Sequence, residues 1–339
     1  DEMTRFSGNM APVVYDGKVF VGVSGTGYSA FLGDAEVGAI EELGKPGVRS
    51  GLRAFLTAYD AATGKLIWRW YSTASKNWEG EYTTHTYFGD KLNRDIAAER
   101  KNSKQYVDAW KTGGGSIYSS PTIDPKAGLI FFGTGNPSPT YSDEKRPGDN
   151  LYTSALVALD LKTGKLAWYH QIVPHDVWGY DVAAPPVLVS MKRGDGKNVE
   201  AIAAASKTGR VYFFERANGN VLGRSEMFVP KNENMFRRPT VEGIEIAPGA
   251  AGGANWPPLA YNKTADLLYI PAAHRPTWYQ RKLQTGGNFL NVFSFDRSNV
   301  EWGTLSAISP KTKEIKWQIK TELAIVSGVL ATDGDLLFY

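Results

Sequence analysis

The sequence predicts an all-β protein, a β-propeller of four-stranded blades, from a repeated motif, the turn chemistry of that motif and the composition. Residues 58–68 read AYDAATGKLIW, and residues 158–168 read ALDLKTGKLAW. A weaker copy, AISPKTKEIKW, covers residues 307–317, and residues 213–223 hold a fainter echo. Self-similarity of this kind indicates an array of sheet units. The 36 Gly and 18 Pro suit a chain with many short strands and turns.

Each copy of the motif contains the parts of a β-hairpin. An apolar strand end leads into an Asp-x-x-Thr-Gly turn, and the following strand ends in a Trp. In such a turn the Asp side chain bonds the backbone two residues on, and Gly takes the positive φ that other residues resist. We expect the Trp ring to pack against a neighbouring sheet that also accepts its N–H.

The segments outside the motif are mostly short strands rich in Val, Ile, Tyr and Phe. Asp-Gly pairs at residues 16–17 and 333–334 predict hairpin turns, and residues 94–111 predict the one helix. Residues 30–53, which are irregular and contain Gly and acidic residues, are interpreted as an inserted loop. No composition break marks a linker, so residues 1–339 are expected to form one domain. Because both ends interrupt the pattern, we expect a piece of a longer chain.

Composition excludes several classes of function. A net charge of +3 and a pI near 8.7 are too mild to indicate a nucleic-acid partner. No apolar run is long enough for a membrane span. The absence of Cys excludes disulfides, thiolate metal sites, a cysteine nucleophile and a C-x-x-C-H haem attachment within these residues.

Ordered motifs between the repeats make the chain resemble the quinoprotein alcohol dehydrogenases from about residue 8 to residue 339. The motifs are MAP at 10–12, GVSG at 22–25, AWKTGGG at 109–115, GTGNPSP at 133–139, RPGDN at 146–150, HDVWGYD at 175–181, GGANWPP at 252–258 and GVLAT at 328–332. This family has eight-bladed β-propellers that carry pyrroloquinoline quinone (PQQ) and a calcium or lanthanide ion. Its members are considerably longer, so the resemblance implies about five blades here, incomplete at both ends.

The resemblance also implies a set of site residues. Asn136 matches a metal-binding amide, although an Asn before Pro is also typical of a turn. Five residues match cofactor contacts: Asn9, Ser24, Tyr118, Lys207 and Asn255. Some of these residues have an ordinary structural alternative. Asn9 and Ser24 are alternatively small polar groups at strand ends. Tyr118 is either a ring that stacks beneath the quinone or a buried core tyrosine, and Lys207 is alternatively a solvated turn lysine.

The chain departs from the family pattern at three positions, two of which carry a charge in the family. The metal-binding Glu aligns with Gly27, the catalytic Asp with Gly179, and a Trp expected over the quinone with Val326. Asp181 lies two residues past Gly179, so on an extended segment it shares the same face. The lanthanide-type enzymes carry a metal-binding Asp at this position. Asp181 is therefore a candidate metal ligand, catalytic base, or both in turn; the alternative is a strand-end Asp that accepts backbone N–H bonds.

Two further groups of residues are weaker candidates. The inserted loop carries the acidic residues Asp34, Glu36, Glu41 and Glu42, which are either a substitute ligand or, more simply, solvated loop charges. His170 and His175 are either proton carriers or residues with ordinary structural roles, because the four His have no metal-ligand spacing.

Three functions follow from these observations. The first is a periplasmic, secreted PQQ-dependent dehydrogenase that oxidises an alcohol, polyol or sugar with Ca²⁺ or a lanthanide, and passes electrons to a cytochrome c or a quinone. The second is a cofactor-free propeller scaffold that resembles the outer-membrane assembly lipoprotein. The third is a quinone-binding protein with a degenerate site. Retention of Asn136, Lys207 and Asn255 favours the first function.

Overall fold

Four antiparallel sheets of four strands each follow one another along the chain. The computed structural model describes residues 10–24, 53–140, 143–283, 289–294 and 300–339. Each sheet is a meander in which consecutive strands pair, with the orders β1-β2-β3-β4, β5-β6-β7-β8, β9-β10-β11-β12 and β14-β15-β18-β19. The all-β prediction is confirmed. The described residues contain four complete four-stranded sheets, where about five blades were expected.

The strand bounds are as follows. The first sheet has β1 (Val13–Tyr15), β2 (Lys18–Val23), β3 (Phe55–Asp60) and β4 (Leu66–Tyr71). The second has β5 (Thr122–Asp124), β6 (Leu129–Gly133), β7 (Ala155–Asp160) and β8 (Leu166–Gln171). The third has β9 (Val187–Lys192), β10 (Asn198–Ser206), β11 (Arg210–Glu215) and β12 (Val221–Arg224). The fourth has β14 (Ala260–Asn262), β15 (Leu267–His274), β18 (Trp302–Ile308) and β19 (Ile315–Thr321).

Smaller elements surround these sheets. A three-stranded sheet of order β13-β16-β17 includes a hairpin inserted between β15 and β18, and a two-stranded hairpin, β20-β21, follows the fourth sheet. These strands are β13 (Ile244–Ile246), β16 (Thr277–Leu283), β17 (Phe289–Ser294), β20 (Leu330–Ala331) and β21 (Leu337–Phe338). Short 3₁₀ turns cover Ala109–Thr112 and Asp143–Lys145.

The helix predicted over residues 94–111 is shorter than expected. Helix α1 covers Ile96–Ser103, and the Asp95 side chain caps its first turn by accepting from the Ala98 N–H at 3.0 Å. The carbonyl of Asn102 accepts from the N–H groups of both Gln105 and Tyr106, and these tight bonds close the helix. Within the described residues no helix is long and apolar enough to cross a bilayer.

The turn of the repeated motif recurs between the third and fourth strands of every complete sheet. Asp60 Oδ1 accepts from the Thr63 N–H at 2.7 Å, and Asp160 Oδ1 accepts from the Thr163 N–H at 2.8 Å. The turn closes with a residue at positive φ, and each hairpin has a register shift next to it. The positive-φ residues are Gly64 (+69°), Gly164 (+67°), Gly219 (+75°) and Lys313 (+65°). The faint echo and the weak copy are therefore genuine repeats.

The motif Trp joins one sheet to the next. Trp68 Nε1 donates to the carbonyl of Leu161 at 3.4 Å, and Trp168 Nε1 donates to the carbonyl of Arg216 at 2.9 Å. A Cβ at Gly164 would lie 2.5 Å from the Trp68 ring, and one at Gly219 would lie 2.7 Å from the Trp168 ring. The turn glycine of one sheet thus makes room for the Trp of the preceding sheet, as the sequence predicted for the Trp.

The hydrophobic core lies between successive sheets. Phe20 of the first sheet and Phe132 of the second belong to one buried cluster, and Phe213 and Ile270 join the third and fourth sheets in another. Strand β7 is buried on both faces along residues 155–159, which explains its nearly continuous apolar run. Burial of both faces stacks the sheets face to face, as the blades of a propeller are stacked.

Candidate active site

The predicted site residues lie on connections that open at one end of the sheets. Because strands alternate in direction, the connection after the second strand and the exit from the fourth strand share an end. Ser24 follows β2, Asn136 follows β6 and Lys207 follows β10. Asp181 follows β8, and Asn255 lies between β12 and β14. The meander topology therefore collects residues that are far apart in sequence.

Asp181 and Lys207 form a buried ion pair, called the Asp181–Lys207 pair below. Lys207 Nζ lies 2.7 Å from Asp181 Oδ1, and the two residues are only 4% and 2% exposed. The angles at this contact are not those of a hydrogen bond, so Oδ1 keeps capacity for a further donor. Tyr118 donates its hydroxyl to Asp181 Oδ2, instead of serving only as the stacking ring that the sequence suggested. The three predicted residues are brought together.

Asn136 is oriented by Asp176, a residue that the sequence analysis missed. Asn136 Nδ2 donates to Asp176 Oδ2 at 2.7 Å, and Ser154 Oγ donates to the same oxygen at 2.9 Å. Because the amide nitrogen faces Asp176, the amide oxygen of Asn136 points the other way. The HDVWGYD motif contained Asp176, but nothing local indicated Asn136 and Ser154 as its partners.

Asp176 also shapes the loop that leads to Asp181. Its Oδ1 accepts from the N–H groups of Trp178 at 2.9 Å and Gly179 at 3.0 Å. Burial raises the pKa of Asp176, and the nearby Asp181 carboxylate raises it further, whereas these hydrogen bonds lower it. Both Asp176 oxygens are thus used within the protein.

Gly179 stands where a side chain has no room. Its φ is +87°, and a Cβ there would lie 2.9 Å from the Cβ of Ala250, which is itself buried. Neighbouring bonds fix the loop: Trp178 Nε1 donates to the Arg237 carbonyl at 2.6 Å and the Tyr180 hydroxyl to the Pro248 carbonyl at 2.6 Å. Gly179, which the sequence analysis aligned with the family's catalytic Asp, is therefore fixed by its backbone conformation and by its packing.

The described residues fit a polar, planar cofactor such as PQQ. Ser24 Oγ and Asn255 Oδ1 are both buried without a hydrogen-bond partner among the described residues. Buried polar atoms are normally satisfied, so these two atoms are candidate contacts for a bound ligand or an ordered water. Both belong to residues that the sequence assigned to cofactor contact. Asn9, Gly27 and the inserted loop apart from Arg53 lie outside the described residues.

The donor set that the described residues provide does not fit the predicted Ca²⁺ or lanthanide ion. Such an ion takes six or more oxygen ligands, several of them carboxylate. No group of three or more His, Asp or Glu side chains is arranged to hold a metal within the described ranges. Of the two predicted ligands, Asn136 bonds Asp176, and Asp181 is paired with Lys207.

The other candidates have structural positions. His170 stacks on Phe214 at 4.5 Å, and its Nε2 donates to the carbonyl of Gly219 at 2.6 Å. His175 Nδ1 donates to the carbonyl of Gly148 at 2.7 Å, and burial lowers the pKa of its imidazole. Val326, which the sequence analysis aligned with a Trp of the family, is 79% exposed.

A buried network of charges beside the site was not predicted. Arg94 pairs with Glu99 at 2.6 Å and also with Asp149. Arg146, which is fully buried, donates to the backbone carbonyl of Asp176 at 2.7 Å. The network therefore holds the RPGDN segment and α1 against the loop that carries Asp176.

Comparison with known proteins agrees with this architecture. The family model described as PQQ, glucose/ethanol/alcohol dehydrogenase, beta-propeller domain, matches residues 38–233. The chain is 31% identical to the quinoprotein alcohol dehydrogenase PedH of Pseudomonas putida, over all of this chain and 56% of that protein. It is 30% identical to the lanthanide-dependent methanol dehydrogenase of Methylorubrum extorquens, over 88% of this chain and 54% of that protein.

A solved structure supports the same assignment. The quinohemoprotein alcohol dehydrogenase from Comamonas testosteroni superposes with a TM-score of 0.72 at 27% identity, over 97% of this chain and 48% of that one. The chain thus spans about half the length of the relatives it matches. The predicted quinoprotein-type propeller is confirmed, and the chain belongs to the PQQ-dependent alcohol dehydrogenase family of β-propellers.

Proposed function

We propose that this chain forms the cofactor-binding part of a PQQ-dependent dehydrogenase that oxidises an alcohol, polyol or sugar. In this proposal the protein works in the periplasm and passes its electrons to a cytochrome c or a quinone. The supporting observation is a buried carboxylate, Asp181, held by Lys207 and Tyr118, together with the unsatisfied buried atoms of Ser24 and Asn255. The activity of named relatives, which are about twice as long, adds to this support.

Asp181 is the proposed general base. The chemistry requires a group that takes the hydroxyl proton of the substrate as its carbon becomes a carbonyl. When bound, PQQ supplies the two-electron acceptor that receives the hydride from this carbon. Tyr118 and Lys207 contact different oxygens of the Asp181 carboxylate and thereby fix its direction. Burial of Asp181 and Lys207 limits the access of water to the proton transfer.

Positioning residues complete this arrangement. Asp176 binds both the Asn136 amide and the N–H groups of the loop that ends at Asp181, so it links the two sides of the pocket. Ser24 and Asn255 offer polar atoms to the cofactor from two other connections. The cofactor is then oriented by groups from several sheets, which is how a protein positions a redox group that carries out the chemistry itself.

A cofactor-free scaffold is the second candidate function. The observation that favours it is Gly179, because its positive φ and the contact with Ala250 leave no space for the family's catalytic Asp. A scaffold, however, has no need for a buried Lys next to a buried Asp. It also has no use for unsatisfied polar atoms that face a pocket.

The experiment compares Asp181→Asn with Asp195→Asn in the full-length protein. Asp195 is a surface residue paired with Arg193 at 2.6 Å, so its variant controls for loss of one carboxylate charge. With PQQ and a panel of alcohols, we expect Asp181→Asn to lower kcat/KM for dye reduction about 10²- to 10⁴-fold while PQQ stays bound. Equal rates in the two variants would exclude Asp181 as the base. Failure of the wild-type protein to bind PQQ would favour the scaffold.

A further inference from the structure

The site contains its own buried positive charge. Lys207 follows β10 directly, and its backbone is packed so tightly that a Cβ at Gly253 would lie 2.4 Å from the Lys207 carbonyl oxygen. The Lys207 N–H also donates to the Asp181 carbonyl at 3.3 Å. Its Nζ lies 5.8 Å from the centre of the Trp256 ring. The ammonium group is therefore fixed in the pocket rather than free to move into solvent.

The two carboxylates near Lys207 already have partners within the protein. A buried ion must be paired, and Lys207 compensates the one carboxylate, Asp181, that lies beside it. The second nearby carboxylate, Asp176, uses both oxygens for Asn136, Ser154 and two backbone N–H groups. Among the described residues, a divalent or trivalent ion here would meet the amide oxygen of Asn136 and one carboxylate whose charge Lys207 already balances.

We propose that the Lys207 ammonium supplies the positive charge at the quinone oxygens that a metal ion supplies in metal-dependent relatives, so that this protein binds PQQ without a metal. This inference rests on the proposed function, because it assumes that PQQ is the ligand. It accounts for two features together: Gly at positions 27 and 179, which removes two carboxylates, and a lysine close enough to Asp181 to balance the remaining charge.

The test measures PQQ binding rather than turnover. The full-length protein is stripped with a chelator and titrated with PQQ in the chelator alone, with Ca²⁺, and with La³⁺. Quenching of tryptophan fluorescence follows binding, and Trp256 near Lys207 is a local reporter. We expect dissociation constants that agree within about twofold under the three conditions. A gain of about tenfold or more with either ion would overturn the inference while leaving the proposed function intact. Absence of binding under every condition would overturn both.

Variants of Lys207 test the same inference independently. Lys207→Met keeps the length of the side chain without its charge and should weaken PQQ binding at least about tenfold, whereas Lys207→Arg should retain most of it. Because Lys207→Met leaves Asp181 buried and unpaired, the double variant Lys207→Met/Asp181→Asn removes both charges and preserves a neutral pocket. Wild-type affinity in a folded double variant would show that the ammonium is not needed.

Discussion

Adding a single methyl group at Gly179 should destabilise the protein through two separable effects. In Gly179→Ala the new Cβ would lie 2.9 Å from the Ala250 Cβ, where carbon atoms ordinarily stand about 3.5–4.0 Å apart. Overpacking of a buried contact costs about 1–3 kcal/mol. The φ of +87° adds about 1–2 kcal/mol for any residue with a Cβ. We therefore expect the free energy of unfolding to fall by about 2–5 kcal/mol.

Two further variants separate the effects. Gly64 has a φ of +69° in a turn where a Cβ would meet nothing within 4 Å, so Gly64→Ala measures the backbone cost alone. In an Ala250→Gly background the 2.9 Å contact disappears and the nearest remaining atom is the residue 250 Cα at 3.2 Å, so the cost of Gly179→Ala should fall toward that of Gly64→Ala. Urea denaturation of the wild type, Gly179→Ala, Ala250→Gly and the double variant gives the coupling energy between residues 179 and 250, which we expect to be about 1–3 kcal/mol. A Gly179→Ala cost no larger than that of Gly64→Ala, or no rescue by Ala250→Gly, would refute the packing explanation.

Two other predictions concern the hydrogen bond by which Trp168 contacts the next sheet and the buried imidazole of His175. Trp168→Phe removes the donor to the Arg216 carbonyl but keeps an aromatic ring, so the free energy of unfolding should fall by about 1–3 kcal/mol. The same change at Trp317, which is 37% exposed, should cost less. Equal costs for the two variants in urea titrations would contradict the role given to the Trp168 hydrogen bond. For His175, burial lowers the folded-state pKa below its ordinary value of 6.5. The unfolded chain then takes up a proton that the folded protein excludes, so stability is lost as pH falls below about 6.5. His175→Gln should flatten the loss measured between about pH 7.5 and pH 5, and an unchanged slope would refute the assignment.

The sequence contained most of the information on the sheets because that information is local. The Asp60 and Asp160 turns and the positive φ of the Gly that follows each of them depend on residues within one hairpin. The Trp68 and Trp168 N–H groups reach the next sheet, but the regular repeat of the motif already indicated a neighbouring sheet as their partner. The inserted β16-β17 hairpin could not be predicted in this way, because its residues carry no repeat signal.

The site was predictable as a set of residues but not as a set of contacts. Lys207 and Asp181 were each identified, yet their pairing depends on how the exit of β8 meets the end of β10. Asp176 was missed because its role arises from partners on other connections. The steric reason for Gly179 required its neighbour Ala250, which no local pattern indicates.

The contact between a motif Trp and the glycine turn of the next sheet gives the second sheet two different ends, because Gly164 receives Trp68 and Trp168 packs on Gly219. One end offers an indole, and the other offers the groove that receives it, so the association is head-to-tail rather than symmetric. Gene duplication of such a unit creates a new copy that already matches both neighbours. Propellers of this type can therefore grow or shrink by whole sheets during evolution, while the connections that carry Asp181 and Lys207 diverge without disturbing the joints.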